Sequence, residues 1–266
     1  MPILNRQQVL KGVTGIAREA GRAILEIYRT NFDVESKSDD SPVTAADMAA
    51  HRVIVDALSD LTPEMPVLSE EDGVPPYSER SAWQRYWLVD PLDGTKEFIS
   101  RNGEFTVNIA LIEAHQAVLG VVHVPVQDKT YTGLHGYGAR RITGDGDSEQ
   151  IRVAEESAPA VRVVGSRSHR SSALDDWLGE LGEHELVPMG SSLKFCVVAE
   201  GAADVYPRLG PTSEWDTAAA QAVVEAAGGR VTIAGGAPLA YNTKADILNP
   251  HFLVTGPRDR QWPPFD

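Results

Sequence analysis

The stretch that most restricts this chain is "YWLVDPLDGTKEF", Tyr86 to Phe98. Tyr86 to Val89 read as a buried strand, yet that strand runs straight into Asp90, a proline, Asp93, Gly94 and Thr95. A fold that buries the apolar residues must also bring two carboxylates to the strand's end, where an unpaired charge is costly. Asp90 is expected to end the strand, Pro91 to turn the chain and Asp93 to face the same pocket. The Leu92 carbonyl between the two acids is free to be a further oxygen ligand. Gly94 permits a tight backbone, and Thr95 is predicted to start a helix whose first amides suit a phosphate oxygen.

Other segments deliver acids in the same way. Glu70, with Glu71 and Asp72, follows the short apolar run of "PVLSEEDG", and Asp216 stands at a helix start in "EWDTAAAQAVVEAAGG". If these groups converge, two unit charges about 4 Å apart repel by roughly 4 kcal/mol at an effective dielectric near 20. Several such pairs would strain a fold whose whole stability is about 5–15 kcal/mol. Either some carboxyls are protonated or a divalent cation sits among them. Hard oxygen ligands, with no Cys or His in the set, favour Mg2+ or Mn2+ over zinc. An Asp before Gly-Thr also caps helices routinely, but acids at three separate element ends weigh against caps alone. An aspartyl-phosphate mechanism needs two aspartates two residues apart on one side of an extended segment. Here the spacing is three with a proline between, so that mechanism is rejected.

Composition bounds the partners. Across 266 residues the formal net charge is -14, which argues against a nucleic-acid polymer as partner. A small phosphorylated substrate would be repelled as well, unless a bound cation reversed the field locally. The lone cysteine, Cys196, sits in the apolar run "KFCVVAE" and reads as a core residue in a reducing cytoplasm. No secretory signal and no membrane-spanning apolar run is expected. Apolar residues at Val9, Val13, Ile16, Ala20, Ile24 and Ile27 predict a helix from Arg6 to Arg29. "FTVNIALIEAHQAVLGVVHVP" predicts two antiparallel strands, and a domain boundary is expected near Thr143–Gln150, giving halves 1–147 and 148–266. The pattern is mixed α+β, with strands too unevenly spaced for a plain doubly wound sheet.

Taken together, "WLVDPLDGTKEF", "SEED" and "WDTAAAQAVVEAAGG" resemble the inositol monophosphatase superfamily of Mg2+-dependent, lithium-sensitive phosphatases. Within it, "DDSPVTAAD", "GSRSH", "GSSLKFCVVAEGAADVYPRLGPTSEWDTAA" and "PLAYN" are similar to the CysQ-type 3′(2′),5′-bisphosphate nucleotidases, over nearly the whole span from Arg6 to Gly256. The resemblance implies a layered α-β-α-β-α sandwich, an N-terminal half with most metal ligands and a C-terminal half that closes over the substrate. It implies two or three Mg2+ ions, Mn2+ as a substitute and Li+ as an inhibitor. Glu70, Asp90, Asp93 and the Leu92 carbonyl would hold metal, and Asp216 a second ion. Asp47 would act with Thr95 on the attacking water. The Gly94 and Thr95 amides, beside Asp93 and Asp216, would hold the scissile phosphate.

The implied reaction is single-step hydrolysis of 3′-phosphoadenosine 5′-phosphate to AMP and phosphate, in sulfur assimilation. A second phosphate, remote from the metals, calls for cationic or hydroxyl partners. Ser166 and His169 in "GSRSH", Ser191 and Lys194 in "GSSLKF", and Arg208 in "YPRLG" are the candidates. The alternatives are an inositol monophosphatase or broad sugar phosphatase and, outside enzymes, a phosphate-ligand sensor on a retired scaffold. Every matched acid and Thr95 is intact, which argues against the last. A cytoplasmic enzyme, with room for a homodimer and for peripheral contact with the inner membrane, completes the expectation.

Overall fold

A computed structural model describes residues 5–30, 34–36, 42–156, 160–165, 171–256 and 260–265, with residues 34–36 and 42–44 as backbone only. The chain runs through helix α1 (Arg6–Tyr28), strands β1 (Val34–Ser36) and β2 (Pro42–Thr44), and helix α2 (Ala45–Leu61). β3 (Val67–Ser69), α3 (Tyr77–Arg80), β4 (Arg85–Asp93) and α4 (Thr95–Ile99) follow. Next come β5 (Thr106–Glu113), β6 (Gln116–Val124), β7 (Lys129–Leu134), β8 (Gly138–Thr143) and β9 (Asp147–Ile151). The remainder comprises β10 (Val161–Gly165), α5 (Ser172–Leu181), β11 (His184–Pro188), α6 (Leu193–Ala199), β12 (Val205–Arg208), α7 (Ala218–Ala226), β13 (Arg230–Ile233) and β14 (Phe252–Thr255).

β3 to β9 form one seven-stranded sheet in sequence order, with β3 parallel to β4 and the rest antiparallel. A five-stranded sheet has the order β11-β10-β12-β14-β13 and mixes parallel with antiparallel pairs. Period-two alternation sets the layers. Along β4 and β5, Trp87, Val89, Val107, Ile109 and Leu111 pack under α1 and α2. Their neighbours Tyr86, Leu88, Ala110 and Ile112 join α6, α7 and the second sheet in another core. The far face of the second sheet, with Val161, Val163, Val205 and Leu253, is covered by Leu174, Trp177 and Leu178 of α5. The order is therefore helix, sheet, helix, sheet, helix: the α+β five-layer sandwich that the resemblance implied.

The middle helical layer is thin because its residues are small. α7 carries Ala218, Ala219, Ala220 and Ala222, all buried. It lies so close to β6 and β7 that a Cβ on Gly120 would stand 2.0 Å from the Ala219 carbonyl oxygen, and one on Gly133 2.4 Å from that of Ala222. On the other face, the Trp87 indole donates to Thr62 Oγ1 at 2.8 Å, which satisfies a buried polar tip. The boundary expected at 147/148 falls within β9, and the first sheet continues to Ile151. α6 and α7, from the C-terminal half, pack on the N-terminal sheet, so the two halves share one core. Among the described residues, no helix is long and apolar enough to cross a membrane.

Candidate active site

The acids meet where β4 approaches the Glu214–Asp216 turn that precedes α7. β4 does not stop at Asp90 as expected. Its pairing with β5 resumes at Asp93, opposite Thr106, after an irregularity that begins at the Asp90–Asn108 pair. The two residues between, Pro91 and Leu92, form this bulge, so both aspartates stay on the sheet; a bulge re-aims side chains without ending a strand. Asp90 is buried, and its Oδ1 accepts the Leu92 N–H at 3.0 Å. The Leu92 side chain lies in the core beneath α1 and α2. Asp216 closes a 3-10 turn, Glu214–Asp216, and its Oδ2 accepts the Ser213 N–H at 2.9 Å in a capping box. Carboxylate oxygens of Asp90, Asp93 and Asp216 all lie within 4.8 Å of one another.

Two further predicted acids stand close by. β3 pairs in parallel with β4, Ser69 opposite Val89, so Glu70 leaves its strand level with Asp90. Asp47 is buried in the first turn of α2. Burial lifts the Asp90 carboxyl well above the usual range, and the charges of Glu70, Asp93, Asp216 and Asp47 lift it further. Asp216 is pushed up to about 8 by burial and by Asp93, against the Ser213 N–H. Asp93 reaches only about 6, because Lys194 and the Ser192 N–H offset part of its burial. Without a cation this cluster favours protons; a hard divalent ion would favour the same oxygens in ionised form. The donor set is all oxygen, which fits Mg2+ or Mn2+.

Beside the acids opens a cleft of about 140 Å3 lined by Asp93, Gly94, Ser191, Lys194, Arg208 and Asp216. Six residues expected at the substrate, Asp216 among them, therefore share one cavity. Lys194 is buried, its ammonium 5.6 Å from the centre of the Tyr206 ring. Burial lowers its pKa and Arg208 adds to this, while Asp93 opposes it. Arg208 Nη2 donates to the Pro211 carbonyl at 2.5 Å. Gly94 has φ of 95°, a left-handed conformation suited to glycine, and a Cβ there would meet Ser191 Cβ at 3.3 Å. Thr95 opens α4, as expected. Ser166 and His169 lie outside the described residues.

The sequence profile of the inositol monophosphatase family matches residues 5–258. The chain belongs to the inositol monophosphatase family. Enzymes of this family are metal-dependent phosphatases, in keeping with the acidic cluster. The chain is 53% identical over 249 residues to the 3′(2′),5′-bisphosphate nucleotidase CysQ of Escherichia coli strain K12, covering 93% of this chain and 99% of that protein. The corresponding CysQ of Haemophilus influenzae is 35% identical over 257 residues, 96% of each chain. Among solved structures, CysQ from Bacteroides thetaiotaomicron superposes with a TM-score of 0.85 at 43% identity, covering 97% of this chain and all of that one. An inositol monophosphatase from Anabaena gives 0.76 at 26% identity, covering 95% and 92%.

Ser192, Glu97, Tyr206, Thr212 and Thr217 also line the cleft; they lie within the motifs quoted above, which assign them no role. Glu214, two residues before Asp216, is buried and accepts the Asn242 N–H on both oxygens, at 3.0 and 2.9 Å. Asn242, at φ of 54°, also bonds the buried Arg80 guanidinium and, through Nδ2, the Arg80 carbonyl at 2.6 Å. The turn that carries Asp216 is thus anchored to α3. One signal was available in the sequence: Thr106 and Asn108 are polar, two apart, in the otherwise apolar strand "TVNIALI".

Proposed function

We propose that this chain hydrolyses the 3′-phosphate of 3′-phosphoadenosine 5′-phosphate, giving AMP and phosphate, with Mg2+ as cofactor. The observation that carries the reading is one cleft in which Asp93 and Asp216, two of a carboxylate trio with Asp90, stand with Lys194 and Arg208. The trio suits divalent ions, and the cations beyond it suit a second phosphate. A relative that is 53% identical along nearly its whole length bears the name of that activity, which supports the substrate choice.

In this reading Glu70, Asp90, Asp93 and the Leu92 carbonyl would hold metal, and Asp216 would hold a second ion. An Mg2+ ion held there would supply Lewis acidity, lowering the pKa of a water and offsetting negative charge on the departing 3′-oxygen. Asp47 and Thr95 orient the attacking water and take its proton. The Gly94 and Thr95 amides cradle the scissile phosphate, fixing it for in-line attack. Ser191, Lys194 and Arg208, with Ser166 and His169, bind the 5′-phosphate. The working compartment in this reading is the cytoplasm.

The test is phosphate release with Mg2+ from 3′-phosphoadenosine 5′-phosphate, inositol 1-phosphate and fructose 1,6-bisphosphate, compared as kcat/KM. The bisphosphate nucleotide is expected to lead by at least about tenfold, the factor that a difference of about 1.4 kcal/mol produces. A lead for inositol 1-phosphate would replace the nucleotide as substrate.

A further inference from the structure

Ser192, the second serine of "GSSLKF", makes a connected set of buried contacts. Its Oγ donates to Asn108 Oδ1 at 2.8 Å and lies 2.8 Å from Thr106 Oγ1. Asn108 Nδ2 donates to Thr106 Oγ1 at 3.3 Å. With the Thr106 hydroxyl donating to Ser192, the bonds form a closed ring in which each residue donates once and accepts once. All three side chains are buried, with exposures of 0% for Thr106, 1% for Asn108 and 2% for Ser192. A buried ring of this kind has little freedom to rearrange, because breaking any bond strands a polar atom away from water.

The ring's place in the sheet gives it consequence. Asn108 pairs across the sheet with Asp90, and Thr106 with Asp93. The Ser192 N–H donates directly to Asp93 Oδ2. One residue from the C-terminal half thus grips both the strand that backs the aspartates and one aspartate itself. On either side of it, Ser191 and Lys194 line the cleft. Ser191 holds φ at 44°, a left-handed backbone unusual for serine, which the surrounding structure must maintain.

We infer that the Ser192 hydroxyl is a positioning group: by locking residues 190–194 onto β5, it sets the Asp93 carboxylate for metal and the phosphate-binding wall against it. The inference rests on the metal-site reading above, and it does not depend on which phosphate ester is hydrolysed.

Ser192→Ala removes the ring and keeps the main-chain N–H. Thr62→Val, which removes the buried bond to Trp87 on the opposite face of the sheet, is the matched control for a lost hydrogen bond. Mg2+ binding is measured by titration calorimetry without substrate, next to melting temperature and turnover. Ser192→Ala is expected to weaken Mg2+ binding by roughly tenfold and to lower kcat, as loss of an outer partner of a ligand does. Thr62→Val is expected to lower only the melting temperature. Ser192→Cys, close in size with a weaker donor, should fall between wild type and Ser192→Ala, and it carries the test if Ser192→Ala does not fold. If both Ser192 variants bind Mg2+ as wild type does and merely melt earlier, the residue is structural and the inference is overturned. Failure of wild type to hydrolyse the bisphosphate nucleotide would overturn the substrate reading and leave this calorimetric comparison intact.

Discussion

Asp90 and Asp93 sit three residues apart on either side of one bulge, but they live in different electrostatic company. Beyond burial, the charges that raise Asp90 are those of Glu70, Asp93, Asp216 and Asp47, and its Oδ1 accepts only the neutral Leu92 N–H. Asp93 has Lys194 and the Ser192 N–H to compensate it. Neutralising Asp90 therefore removes repulsion, whereas neutralising Asp93 leaves the buried Lys194 short of a partner. For Asp90→Asn, turnover is expected to fall by more than about a hundredfold. The metal-free protein should gain about 1–2 kcal/mol in urea unfolding, since the neutral amide needs no proton taken up on folding and its oxygen can still accept from Leu92. Addition of Mg2+ should stabilise wild type and leave the variant almost unchanged. A variant that loses stability without metal would show that Asp90 is held by contacts other than acids. The sequence made these carboxylates legible, because charged residues at the end of an apolar strand stand out. It did not reveal Ser192, Glu214 or Asn242, whose partners lie far away in the chain: Arg80 and Asn242 are separated by 162 positions.

The expectation that Asp90 ends its strand failed for an element-level reason. A proline cannot donate to a sheet ladder, and so reads as a stop. Here the bulge absorbs Pro91, and pairing resumes at Asp93 opposite Thr106. Helices were easier to read, since spacing of three and four along Arg6–Tyr28 and the alanine run of α7 are local signals. The reason α7 needs so many alanines was not local. It packs its backbone against Gly120 and Gly133 of the first sheet, an approach with no room for a side chain. Gly120→Ala is accordingly expected to cost about 3 kcal/mol or more, the upper end for overpacking. Thermal and urea unfolding would register it. A loss within about 0.5 kcal/mol, the range of a surface substitution, would mean that α7 can shift away without penalty.

At the scale of the whole molecule, a chain with a net charge of -14 attracts a phosphorylated substrate only where its own field is reversed. The five layers create that place. The first sheet supplies Asp90 and Asp93, the middle layer supplies Asp216 from the turn before α7, and α6 and β12 supply Lys194 and Arg208. Periodicity along the chain could not have given this layering; it came from the ordered motifs, and the two sheets and their three apolar cores bear it out. Cleft, ring and anchored turn converge on one arrangement, in which acids remote in sequence are kept within 4.8 Å of one another and must take up protons or share a cation. The direct measurement is anomalous diffraction from crystals of the protein soaked in Mn2+. Anomalous density is expected among the Asp90, Asp93 and Asp216 carboxylates; metal-dependent phosphate release from a protein whose crystals bind the ion elsewhere, with those three carboxylates bare, would refute a metal site there.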